Sequence, residues 1–250
     1  MGEACLVSVL PGCSQDKDLG GSSYAGICFL SMGALMFEVT MLKVFAFSSW
    51  YHFGFMVVSI ALLGIGGAGT LRMVSPWMRG KMWLPSFFSS LFALTGFLGV
   101  WIVNCVPFDP FRLLWDHSQL SVLPIYYLSL AMPFLCSGSC VALFLSEKPG
   151  CSGKIYFSDL SGAGVGAALA VFLLPVLGGE KTLGFALILG TISSTLFSSS
   201  LAENRRKFCF ASFSVLVFVV LLGSTLRITA SPYKELSQAL SHPGAKLLYT

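Results

Sequence analysis

The chain has 250 residues, of which Asp, Glu, Lys and Arg make up 10%, against about 25% in an ordinary soluble domain. Its apolar fraction is 55%, including 22 phenylalanines, so most of its surface must face lipid rather than water. The formal net charge of +4 comes from short basic clusters between apolar runs, which suits anionic headgroups; no interleaving of basic and aromatic residues marks a nucleic-acid surface.

Residues 1–23 are polar and rich in Gly and Ser, and read as an irregular leader. Apolar runs then follow at 24–42, 53–71, 84–106, 120–145, 158–179, 183–201 and 208–226. Each has 19 residues or more, enough at about 1.5 Å per residue to cross a hydrocarbon core of about 30 Å. None alternates apolar and polar residues as a barrel strand would. The expected fold is therefore all-α: a polytopic transmembrane helix bundle of about seven spans over residues 24–226, followed by a polar linker at 227–250. Pro107 and Pro110 close the third run, Pro124 and Pro133 are expected to kink the fourth, and Trp77 and Trp83 read as interfacial anchors.

Lys and Arg are unevenly shared among the connections. Those after the second, fourth and sixth runs hold Arg72, Arg79, Lys81, Lys148, Lys154, Arg205, Arg206 and Lys207, whereas the others hold Lys43, Arg112 and Lys181. The positive-inside rule places the first group, and with it the N-terminus, in the cytoplasm.

The candidate functional residues are the ionisable groups in or beside the runs, because charge is expensive in lipid. Glu38 lies inside the first run, either as a proton or cation ligand or in a structural pair with Lys43 or Arg72. Asp159 opens the fifth run, where capping and the helix dipole would stabilise a carboxylate. His52 sits in Trp50-Tyr51-His52-Phe53, a sequence suited to an interfacial belt. Gly162 and Gly166 have the G-x-x-x-G spacing that lets two membrane helices approach closely. Cys28, Cys105, Cys136, Cys140 and Cys209 fall in or at the ends of apolar segments and read as small hydrophobes. Cys136 and Cys140 share a helix face, but no second His or Cys pair completes a zinc site. No catalytic triad, paired carboxylates, metal or cofactor is expected.

Several stretches resemble one bacterial family. Phe37-Glu38-Val39 followed by Leu42-Lys43 is similar to the Tyr-Glu-Val…Leu-Arg stretch in the first helix of membrane-bound spermidine synthase-like proteins. Trp50 to Phe55, running on through Ala61 to Gly66, resembles their second helix. Pro133-Phe134 fits as well, and Ile155 to Ala163 resembles their Tyr…Asp-Leu-x-Gly-Ala signature. Ser231 to Leu240 looks like their linker to a soluble domain. The resemblance, over residues 24–250, implies a non-catalytic membrane domain of the bacterial cytoplasmic membrane. Such a domain would anchor or serve a synthase-like domain of methyltransferase-like Rossmann fold. The aminopropyltransferase-like residues of that domain would lie beyond Thr250 and have no positions here, and the tail from Arg227 reads as a linker cut short. Lys43 stands where the family has Arg, keeping the charge but losing the bidentate fork. The alternative is a small secondary transporter or permease with Glu38, and Asp159, in a polar path.

Overall fold

The computed structural model describes residues 19–48, 51–81, 83–105 and 118–199. Within these the architecture is all-helical: α1 (Gly21–Ser48), α2 (Tyr51–Val74), α3 (Leu84–Cys105), α4 (Ser118–Glu147) and α5 (Ser152–Ser199), with single 3-10 turns at Pro76–Met78 and Pro149–Cys151. In a hydrocarbon environment backbone N–H and C=O groups must find partners within the segment, so helices survive glycines and prolines that would end them in water. Thus α2 runs through the Gly64–Gly69 stretch, α4 keeps Pro124 and Pro133, and α5 keeps Pro175.

Five of these helices are long and apolar enough to cross a membrane, not about seven. One expected span, 208–226, lies outside the described residues, as do the linker at 227–250 and the leader up to residue 18. The fifth and sixth expected spans are a single element, α5, of 48 residues. No polar loop separates them; the helix is interrupted at Gly178 alone (φ 79°, ψ 167°). Only glycine reaches that backbone region without steric penalty. Pro175, with no N–H to donate, weakens the preceding turn.

Gly178 reverses the chain. On the first arm of α5 (152–177), Gly162 packs on Cys28 and Gly166 on Met32, so the arm runs parallel to α1. On the second arm (179–199), Ala186 and Leu189 meet Gly33 while Phe197 meets Gly26, so that arm runs antiparallel. α1 is held between the two. The other contacts give a consistent sense. Gly54 of α2 lies against Leu42 and Ala46, the antiparallel return from α1, and α4 runs with α2 through Gly64–Ala131 and Gly138–Ala68 contacts. α3 runs against α4, where the Tyr126 hydroxyl donates to the Val103 carbonyl at 3.0 Å. Direction therefore alternates at every connection.

Phe37 of α1 ties the core together, edge-on to Phe92 of α3 (6.3 Å between ring centroids) and tilted on Phe134 of α4 (5.9 Å). Outside the bundle, Phe55, Leu62, Leu128, Phe157, Phe172 and Val176 are each more than 60% exposed. So much uncovered apolar surface is stable in lipid and not in water.

The alternation sorts the charges. Arg72, Arg79, Lys81, Lys148 and Lys154 gather at the end of the bundle where α2 and α4 finish, while Lys43 and Lys181 lie at the opposite end. At the Arg72 end, Arg72 pairs with Glu147 at 2.6 Å, and the same carboxylate accepts from the Gly80 N–H at 3.1 Å. Exposed Trp77 carries Lys81 Nζ 4.6 Å from its ring centroid. This is the interfacial position expected for it.

Candidate functional site

Three of the residues singled out from sequence converge on one contact. Asp159, Gly162 and Gly166, spaced three and four apart, share a face of the first arm of α5 and meet α1 there. A Cβ on Gly162 would run into the Cys28 carbonyl, and one on Gly166 into the Met32 carbonyl. Backbone therefore lies on backbone, the approach that G-x-x-x-G spacing permits. One turn before Gly162, the Ser31 hydroxyl of α1 donates to Asp159 Oδ1. Cys140, fully buried on α4, donates to the Pro85 carbonyl at 3.8 Å.

Asp159 is not a cap. α5 begins at Ser152, and its first turn holds no acid, so Asp159 sits about 10 Å into the helix. Its carboxyl oxygen is met by a side-chain hydroxyl across the interface and not by free N–H groups at a helix end. Ser31 was missed in the sequence, where one hydroxyl among apolar residues carries little signal.

Glu38 lies two turns beyond Ser31, about 10 Å along the axis and within about 20° of the same stripe of α1. It is half-buried. Neither suggested partner reaches it: Arg72 is at the other end of the bundle with Glu147, and Lys43 forms no pair with it. Lys43 is exposed and, with Val44, lines a cavity of about 340 Å³ against the corner of α5, where Leu174, Leu177, Gly178, Gly179, Glu180 and Lys181 complete the wall. His52 is in the first turn of α2; its side-chain surroundings lie outside the described residues.

No family model, curated protein or solved structure matches this chain.

A second polar feature joins α3 to the second arm of α5. Ser86 Oγ lies 3.0 Å from Ser194 Oγ and 2.7 Å from Ser198 Oγ, and Ser90 Oγ lies 2.7 Å from Ser194 Oγ. Ser194 also donates to the Ser86 carbonyl (2.8 Å), Ser89 to the Gly190 carbonyl (2.9 Å) and Ser193 to the Gly26 carbonyl of α1 (2.6 Å). Hydroxyls small enough to let helices close and able to bond across them are the usual adhesive of membrane bundles. Sequence reading overlooked this set because serines scattered through an apolar run look like tolerated polar residues.

Among the described residues no group of three His, Cys, Asp or Glu could hold a metal ion, and the five described cysteines are free thiols. The chemistry available around α1 is one carboxylate held by a serine, a second carboxylate on the same stripe, and close glycine packing between them and the neighbouring arm.

Proposed function

We propose that this chain is a multi-pass membrane domain of the bacterial cytoplasmic membrane. Its role is to anchor or serve a separately folded synthase-like domain, and it carries no reaction itself. In this reading α1 to α4 and the two arms of α5 each cross once, residues 208–226 supply the seventh span, and the Arg72 end faces the cytoplasm. The observation that carries it is the clamp on α1. A helix gripped between two arms by glycine-on-backbone contact and a buried serine set is built to hold one arrangement, as an anchor requires. The motif resemblance in α1, α2 and α5 supports the choice of partner.

The test is biochemical. Tagged chain extracted in mild detergent should co-purify a soluble protein of aminopropyltransferase-like fold from its native host, and a neighbouring reading frame should encode that protein. Recovery of the bundle alone, with no such frame nearby, would reject the proposal.

One observation favours a second reading. Glu38 pairs with neither Lys43 nor Arg72 and shares its stripe of α1 with the Ser31–Asp159 contact. A cation or proton passing along that stripe would meet two carboxylates in succession. On this reading Glu38→Gln abolishes proton-coupled uptake into proteoliposomes while the helical content stays unchanged. Unaltered uptake would dismiss it.

A further inference from the structure

The Lys43 end of the bundle is poor in cations, yet its two described lysines line the same cavity. Lys43 comes from α1 and Lys181 from the corner of α5, 138 positions apart in sequence. Both are exposed, and no described carboxylate forms an ion pair with either. Two cations and a single carboxylate in one wall leave a net positive charge at a membrane surface, which an anion in the cavity would balance. The remaining wall is mostly apolar, from Val44, Leu174 and Leu177, with the Glu180 carboxylate at one side.

We propose that this cavity is a headgroup site for an anionic phospholipid of the phosphatidylglycerol type. Three features match the chemistry. The phosphodiester would give the two ammonium groups an anion that no described residue pairs with them. The glycerol headgroup is neutral apart from its phosphodiester, so it meets the side of the cavity where Glu180 stands with less repulsion than a more highly charged free phosphate would. The acyl chains continue from the apolar wall into the surrounding lipid. The volume of about 340 Å³ is that of a headgroup and not of a whole lipid, so the chains stay in the bilayer. Bound there, the lipid braces the end of α1 against the Gly178 corner, the point at which α5 reverses.

Native mass spectrometry of the full chain in detergent tests this, with short-chain phosphatidylglycerol, phosphatidylcholine and inorganic phosphate as separate probes. The wild-type chain should retain phosphatidylglycerol in preference to the other two. The double variant K43Q/K181Q should weaken that retention by about tenfold or more, the effect of removing two cations beside an anionic headgroup. Leu174→Trp, which fills the cavity and keeps both lysines, should lose it as well. Neutralising Lys148 and Lys154 at the other end should leave it unchanged. Undiminished binding in K43Q/K181Q or in L174W would overturn the site. So would retention of phosphatidylcholine equal to phosphatidylglycerol. Inorganic phosphate bound as tightly as the lipid would overturn the lipid assignment.

Discussion

Replacing Gly162 or Gly166 with Ala should loosen the clamp on α1, and the size of the effect follows from what each new methyl meets. In both cases the obstacle is a carbonyl oxygen and Cα of α1, not the end of a flexible side chain. Relief therefore requires moving a helix that the second arm already presses from its other face. Overpacking of this kind costs about 1–3 kcal/mol. It is offset by the general gain of Gly→Ala in a helix, about 0.8–1 kcal/mol on soluble scales. Gly164 supplies the correction, because a Cβ there meets nothing within 4 Å and the position is exposed. G164A carries the propensity gain alone, so G162A and G166A should each unfold about 1–3 kcal/mol less stably than G164A. Once α1 has shifted to admit one methyl, the second finds room, and the double variant should cost less than the sum. Stability can be read from SDS-induced unfolding in mixed micelles, followed by far-UV circular dichroism. If all three alanine variants unfold at the same SDS fraction, backbone contact does not position α1 and the argument for a clamped bundle fails.

Other consequences can be checked in the same assay. Ser194→Ala removes the bonds that its hydroxyl makes with Ser86 and Ser90 and should destabilise by about 0.6 kcal/mol, and by no more than about 1.7 kcal/mol, the mean and maximum for hydrogen bonds between membrane helices; no change would make the serine set incidental. Gly178→Ala must hold a side chain at φ 79° and should cost about 1–3 kcal/mol, whereas Gly184→Ala, where a Cβ meets nothing within 4 Å, should not. Arg72→Gln removes the cation paired with Glu147 (2.6 Å) and leaves it the Gly80 N–H; the site is partly exposed, so a loss of about 0.2–1 kcal/mol that shrinks with added salt is expected. A larger, salt-independent loss would mean that the pair is shielded from solvent.

Some features were legible in the sequence because one physical rule decides them. Sparse charge and long apolar runs require membrane helices, and G-x-x-x-G spacing on one face requires a close neighbour, which proves to be α1. Two other expectations rested on where a helix starts or stops, and both shifted. The fifth helix begins at Ser152, six residues before the apolar run at 158, so Asp159 moves from a helix end to its interior. The runs at 158–179 and 183–201 imply a connection after Gly179, yet one glycine with positive φ, Gly178, reverses the chain without a loop. The partner of Asp159 could not be read at all. Ser31 lies 128 residues away, and only the packing of the first arm on α1 brings the two together. Glu38 and Arg72 do not meet, because alternating direction sends Arg72 to the opposite end of the bundle, where it pairs with Glu147.

Alternating direction also makes topology a test of the reading of α5. If each arm crosses separately, α1 to α4 and the two arms make six crossings, an even number, so residue 199 returns to the side where α1 began. The basic run Arg205, Arg206 and Lys207 follows directly in sequence, and on that side it would join Arg72, Arg79, Lys81, Lys148 and Lys154, as the positive-inside rule favours. A seventh crossing by residues 208–226 would then carry the tail across. Reporters fused after residues 74 and 200 should accordingly be cytoplasmic, and one fused after residue 250 should lie on the other side. The decisive fusion is the one after residue 200. An external reporter there means that the two arms cross as one unit, and Gly178 is then a kink and not a reversal. The contacts of Gly26 with Phe197 and of Gly33 with Ala186 could not persist in that arrangement. An external reporter after residue 200 would therefore refute the placement of the second arm on α1, together with the clamp.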